Sequence, residues 1–419
     1  MKPLVSVILT SYNKPLTIAK AIKSVLRQSY TDWELMIMDD NSNEETVQII
    51  KKYLKDKRIK YYNSNIENSE RYRTTRYATL INRAIPMTKG KYITYLTDDN
   101  EFLPNRLKRM AEYLESHSKA DIVYSKQMVR TINHNGEITK TFIRRTFGVL
   151  RKPAGYVDHC SIMHTRSIAN KVYDKFGSYW DDDPKYWFNG DAAYWKRLTE
   201  FAVFYPVHEI LDVAYKAPDS FQRLYSQTPK IIPDGTLIKG PASEIYLIDR
   251  NHRRKIASKE VFNSLKYDAS KILEVPDPYL FKYQEGPPID HHVFSSSDLM
   301  PNGLLIKCAN SSFIYYLQNN KKHRISNKEA LNQYFCSEEV VNVNEKLINQ
   351  FENGPDIMPI SDSDAFIPDR ILFFCRNKYY ISSKNSLQSI SKQTALNLKL
   401  PVHSPVRVGM PFISRFFKN

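Results

Sequence analysis

Cysteine is scarce in this chain of 419 residues: only Cys160, Cys308, Cys336 and Cys375 occur, far apart from one another. Neither the short paired spacing of a zinc site nor the density of a secreted disulfide framework is present, so buried thiols are expected. Long apolar runs are missing as well. None approaches the ~20 residues that span a bilayer, and polar Ser11-Tyr12-Asn13-Lys14 follows the amino-terminal apolar run where a signal peptide would continue. A cytoplasmic protein without a transmembrane segment is therefore expected. Glycine is sparse at 12 residues. The Gly-rich phosphate loop of a dinucleotide site is absent, as is the Gly-rich amino-terminal signature of a nucleotidyltransferase. Concentrated charge is the last absence. The net charge is +16, yet Lys and Arg exceed Asp and Glu by 35 to 26 in residues 1–220 and by 26 to 19 in residues 221–419. An excess spread this evenly fits a solvated basic surface rather than a nucleic-acid face, and no nucleic acid is expected as a partner.

What is present is a series of short β-branched runs, each ending in polar residues. Val5-Ser6-Val7-Ile8-Leu9 leads into Thr10-Ser11-Tyr12-Asn13, Leu35-Met36-Ile37-Met38 into Asp39-Asp40-Asn41-Ser42, and Tyr92-Ile93-Thr94-Tyr95-Leu96 into Thr97-Asp98-Asp99-Asn100. Helical spacing separates them: Ile18, Ile22, Val25 and Leu26, then Val47, Ile50 and Leu54 behind Asn43-Glu44-Glu45-Thr46, then Leu80, Ile81 and Ala84. Such alternation predicts parallel strands with crossover helices, a sheet that binds ligands beyond its carboxyl ends. All three polar clusters then share one edge. Two carboxylate pairs without a Gly-rich loop suit a metal-bridged nucleotide diphosphate. Arg71, Arg73 and Arg76, interleaved with Tyr72 and Tyr77, are too basic to be core alone.

Taken in order, Ser11-Tyr12-Asn13-Lys14, Met38 to Thr46, Thr97-Asp98-Asp99-Asn100, Asp158-His159-Cys160-Ser161 and Phe176 to Asp181 resemble the inverting family 2 glycosyltransferases of the GT-A fold. More narrowly they look like the SpsA type, which makes Bacillus spore-coat polysaccharide. The likeness covers about the first 220 residues. It implies an α/β fold, a Rossmann-like mixed sheet over residues 1–228, and a nonprocessive transfer from a UDP- or dTDP-linked sugar to a glycan or glycoprotein of the spore coat or crust. The implied place is the mother-cell cytoplasm, with association at the spore surface. The Gln-x-x-Arg-Trp signature of processive relatives is missing.

The resemblance also assigns roles. Thr10, Tyr12 and Asp40 contact the nucleoside and Arg71 pairs with phosphate. Asp99 ligates a divalent cation, Mn²⁺ or Mg²⁺, while Asp98 faces the ribose or the metal's water shell, since consecutive strand-end residues point to opposite sides. Asp191 is the base that deprotonates the acceptor, and Asp158 and His159 line the sugar or acceptor pocket. These residue types suit the chemistry. A leaving diphosphate gains negative charge, which a bridging cation stabilises; an aromatic ring stacks on a base, and a guanidinium gives a charge-assisted fork. An inverting transfer needs a carboxylate base across the sugar.

One position departs from the common family pattern: Leu96 stands where an Asp is usual, two before Asp98, which leaves the metal's identity open. By themselves, Asp98-Asp99-Asn100 also reads as a polar turn and Asp191 as an ordinary first-turn helix residue. A second reading is therefore a catalytically idle transferase fold with a structural role in the spore coat, against which Asp40, Asp99 and Asp191 count.

Residues 229–419 are a different region with an internal repeat. Pro233-Asp234-Gly235-Thr236-Leu237-Ile238 recurs as Pro301-Asn302-Gly303-Leu304-Leu305-Ile306 and, weakly, as Pro368-Asp369-Arg370-Ile371-Leu372-Phe373. About three strand-rich α+β copies are expected, near 233–290, 300–358 and 367–419. Each has an aromatic strand, a basic strand and a short helix beginning at Ser258, Asn327 or Lys392, the first two with good caps. The tyrosines are expected to fill shared cores. No acid or histidine set recurs, so binding or assembly with coat-protein partners is expected of this region.

Overall fold

The computed structural model describes residues 4–133, 135–218, 220–230, 232–242, 244–335, 339–361 and 366–417; Cys336 lies outside the described residues. The chain divides into two compact units, Met1–Arg223 and Leu224–Asn419.

In the first unit the strands are β1 (Val5–Ser11), β2 (Trp33–Asp39), β3 (Ile59–Asn63), β4 (Tyr92–Thr97), β5 (Glu101–Phe102), β6 (Ile122–Ile132), β7 (Ile138–Arg144), β8 (Ile162–Thr165) and β9 (Phe204–Lys216). The helices are α1 (Ile18–Leu26), α2 (Glu44–Lys51), α3 (Arg76–Met87), α4 (Arg106–Ser116), α5 (Arg166–Phe176) and α6 (Gly190–Leu198). The sheet runs β3-β2-β1-β4-β8-β6-β9-β5, with β7 added to β6. Its first four strands are parallel, and Val7 lies opposite both Leu35 and Thr94. Every residue of β1 and β2 is buried, as strands covered on both faces must be. One apolar core under α1 and α4 includes Leu9, Ile22, Ile37 and Met110; the other, under α3, α5 and α6, includes Ile8, Ile81, Tyr95, Ile168 and Trp195.

The remaining strands make the sheet mixed: β8 is antiparallel to β4 and β6, whereas β9 is parallel to β6. Strand β3 escapes sequence patterning because only Ile59 is fully buried in it. Helix α2 stops at Lys51, short of the Leu54 suggested by spacing, and its cap Asn43 accepts the Thr46 N–H at 3.0 Å. The strand order reverses between β1 and β4, the switch point where open α/β sheets bind ligands.

The second unit contains three small sheets, built on the strand triplets Leu237–Lys239, Ile245–Asp249 and His252–Lys255; Leu305–Cys308, Tyr315–Gln318 and Lys321–Arg324; and Leu372–Cys375, Lys378–Ser383 and Ser386–Ile390. The hairpins turn on Arg250-Asn251, Asn319-Asn320 and Lys384-Asn385, all with positive φ, as two-residue hairpin turns of the mirror type require. Ser258, Asn327 and Ser391 cap the helices Lys259–Ser264, Lys328–Phe335 and Lys392–Asn397. Each apolar cluster joins two repeats, Leu247 with Ile306, Tyr316 with Phe373, and Ile248 with Ile381, so the three copies close into a ring of shared cores. Tyr246, Tyr316 and Tyr380 are buried in them. Cys160 and Cys375 are buried thiols, but Cys308 is only half-buried at its strand end.

Candidate active site

At the carboxyl edge of β1 and β2 the chain makes two tight bends, with Asn13 and Asn41 at positive φ, a conformation Asn tolerates. The bends are laced together: the Asn13 N–H donates to Ser42 Oγ at 2.9 Å and the Asn43 N–H to Asn13 Oδ1 at 2.7 Å. Asp40 follows β2 and is 2% exposed. Its carboxylate accepts from Arg76 Nη2 at 2.7 Å, Arg71 Nη2 at 2.9 Å and Ser64 Oγ at 3.0 Å. Arg71, 1% exposed, also donates to the Asp40 carbonyl at 2.7 Å and lies 3.6 Å over the Tyr12 ring. Thus Tyr12, Asp40 and Arg71, singled out separately in the sequence, form one stack. Arg71 lies against Asp40 and Tyr12, where a phosphate partner was expected. Thr10 is buried in β1 opposite Met38 and Thr97.

The end of β4 supplies the second group. The Tyr12 N–H donates to Asp98 Oδ2 at 2.7 Å. Burial and the neighbouring Asp99 push the Asp98 carboxyl up to about 7, against the pull of Lys14. Asp99 is half-buried and its Oδ1 accepts from Thr97 Oγ1 at 2.7 Å. Leu96 is buried in the apolar core.

The same Thr97 hydroxyl lies 3.7 Å from Cys160 Sγ, which also accepts from Asn100 Nδ2 at 3.4 Å. Cys160 belongs to a short turn, His159–Ser161, capped by Asp158, whose carboxylate accepts from the Cys160 N–H at 3.1 Å and pairs with Arg144 of β7 at 3.0 Å. Burial would raise the Asp158 carboxyl, but Arg144 and His159 outweigh it and hold it well below the usual range. His159 lies parallel to Tyr77, with ring centroids 6.4 Å apart. Burial opposes its charge, but Cys160, Asp158 and Asp191 prevail and raise it to about 10.

Asp191 occupies the first turn of α6, where the helix dipole favours a carboxylate. Burial raises its carboxyl, and the facing His159 lowers it. Trp195, one turn along, donates Nε1–H to the Val157 carbonyl at 3.1 Å and so ties α6 to the segment carrying Asp158 and His159. Beneath the turn, Arg106 and Asp212 are fully buried. Arg106 donates to the carbonyls of Cys160 and Ile162, while Asp212 accepts from Gln127, Ser125 and Ser161 at 2.6, 3.0 and 3.1 Å. Sequence reasoning missed Arg106, Arg144 and Asp212, which lie in no motif that the sequence singles out.

The donor chemistry decides which groups suit Mn²⁺ or Mg²⁺. One carboxylate oxygen each from Asp158, and nitrogen and sulfur from His159 and Cys160, lie within 4.8 Å of one another. Asp158 is already paired with Arg144, however, and these hard cations prefer oxygen. Asp99, half-buried at the sheet edge, offers carboxylate oxygen, the donor such cations prefer.

Residues 6–173 match the family model described as glycosyl transferase family 2. Protein CgeD of Bacillus subtilis is 40% identical over 97% of this chain and 95% of its own. An uncharacterized glycosyltransferase of Methanocaldococcus jannaschii is 30% identical over 54% of this chain and 77% of its own. The crystal structure of S. aureus TarS is similar over 52% of this chain and 37% of that one, at 16% identity and a TM-score of 0.39. Among the described residues no helix is long and apolar enough to cross a membrane. With a mixed α/β sheet carrying these acidic clusters along one edge, and with a relative named as a glycosyltransferase and a family model in agreement, the chain belongs to glycosyl transferase family 2.

Proposed function

We propose that the protein is a nonprocessive, inverting glycosyltransferase that moves a sugar from a UDP- or dTDP-linked donor to a glycan or glycoprotein acceptor, with a role in the spore coat or crust. The observation that carries this reading is one run of contacts from Asp99 through Thr97 and Cys160 to His159, which faces Asp191. Metal ligand and base candidates are thus linked through one turn. The spore assignment rests on the motif likeness to the SpsA type.

In this mechanism Tyr12 and Asp40 receive the base and Arg71 turns toward phosphate while Arg76 holds the Asp40 carboxylate in place. Asp99 would hold Mn²⁺ or Mg²⁺, which when bound supplies positive charge to the leaving diphosphate. His159, whose pKa is raised to about 10, faces Asp191 and lowers its carboxyl against the burial that raises it. Asp191 takes the acceptor's proton, and Asp158, fixed by Arg144, presents the His159 turn to the sugar.

Asp191→Asn tests the reading. Donor binding by calorimetry should be retained, while transfer followed by mass spectrometry should fall ~100- to 10,000-fold, the usual span of general-base catalysis. Transfer within about threefold of wild type, against that expected span, removes Asp191 from the mechanism, whereas no turnover by either protein favours the idle-fold reading.

A further inference from the structure

Within the carboxy-terminal unit, residues from all three repeats enclose a cavity of about 890 Å³, in the range of small-ligand sites. Its floor is made by the equivalent turns Asp234-Gly235, Asn302-Gly303 and Asp369-Arg370. These turns meet closely: a Cβ on Gly235 would lie 3.5 Å from Arg370 Cδ, and one on Gly303 would lie 3.9 Å from the Gly235 Cα. Cross-repeat bonds fix them. Asp249 Oδ1 accepts from Asn302 Nδ2 at 2.9 Å, and Gln318 Oε1 accepts the Asp369 N–H at 2.9 Å. The floor is therefore preorganised rather than assembled on binding.

The chemistry of the lining narrows the ligand. Among the described lining residues, four are acidic, Asp234, Asp268, Glu339 and Asp369. Four are basic, Lys266, Lys271, Arg370 and Lys399, so the cavity carries no net charge to attract a nucleotide or an acidic polymer. Aromatic side chains, Phe262 and Tyr334 among them, share the wall with amides and carboxylates. Tyr267 also lines it, with its hydroxyl buried away from the accessible surface. Aromatic faces beside many paired donors and acceptors, at zero net charge, suit a polyhydroxylated neutral molecule.

We propose that this cavity binds a neutral oligosaccharide, making the carboxy-terminal unit a glycan-binding module with a site of its own. The inference does not depend on catalysis at the sheet edge. The test is an array of neutral and uronic-acid oligosaccharides probed with the full chain, with and without saturating UDP and Mn²⁺. Retention of neutral members, unaffected by UDP, is expected. Asn263→Trp, on the exposed side of the lining helix, should abolish it by filling the space. Retention of no neutral member, a preference for acidic members, loss of retention with UDP, or indifference to Asn263→Trp would each overturn the proposal.

Discussion

Gly190 is the tightest residue in the site. A Cβ there would lie 2.5 Å from the Tyr77 oxygen and 3.1 to 3.2 Å from its ring. Tyr77 has little room to yield, since its hydroxyl accepts the Gly190 N–H at 3.0 Å and donates toward the Tyr186 and Trp187 carbonyls. Gly190→Ala should therefore tilt the first turn of α6 and displace Asp191, costing about 1–3 kcal/mol of stability and reducing transfer further than that loss explains. Tyr77→Phe in the same background removes the closest atom and should restore part of both, read by denaturant unfolding and donor turnover; absence of rescue would show that the contact is not what constrains the helix. At this scale the acids were legible because they end apolar runs. Their partners were not: Arg76, Arg144 and Tyr77 reach the acids only through the approach of separate elements, and the basic, tyrosine-interleaved segment around Arg71 was the sole hint.

Among the elements, β8 carries a buried titratable group. His164 Nδ1–H donates to the Thr165 carbonyl at 2.9 Å, leaving Nε2 to accept from Tyr95 at 2.7 Å. Burial lowers its pKa from 6.5 to about 4. The folded state then binds fewer protons than the unfolded state between these values. Its contribution is present in full above about 6.5 and is lost as the pH falls toward about 4, on the order of 3 kcal/mol in all. Melting temperature should fall across that window, and His164→Gln, which cannot titrate, should flatten the fall even if it lowers the starting value. An unchanged slope would mean that His164 is not the group responsible. Elements with long apolar runs, β1, β2 and β4, were readable from sequence, as was the Asn43 cap. Strand β3 was not, because an edge strand buries little, and the third repeat's helix begins at Lys392 as expected although its cap, Ser391, went unrecognised.

Over the whole molecule, the two units have separate apolar cores. A fragment of residues 1–228 is predicted to fold and to bind nucleotide diphosphate by itself, because every donor-site candidate lies before its end. Circular dichroism melting and calorimetry check this; an insoluble or non-binding fragment would make the repeats part of the catalytic core. The three copies were visible in sequence as recurring Pro-Asp-Gly-like turns. Their closure into a ring was not, since it depends on which faces share a core, and alternating apolar residues look the same whichever neighbour they meet.

The most direct test is a calorimetric titration of the full chain with UDP and dTDP, each with and without Mn²⁺ or Mg²⁺. One of the two nucleotides should bind in a metal-dependent way, and Asp99→Ala, with its fold verified, should weaken that binding by about tenfold or more, as loss of a metal-site group typically does. Affinity and metal dependence unchanged by Asp99→Ala, or no binding of either nucleotide to the wild type, would contradict the assignment of this sheet edge as a donor site.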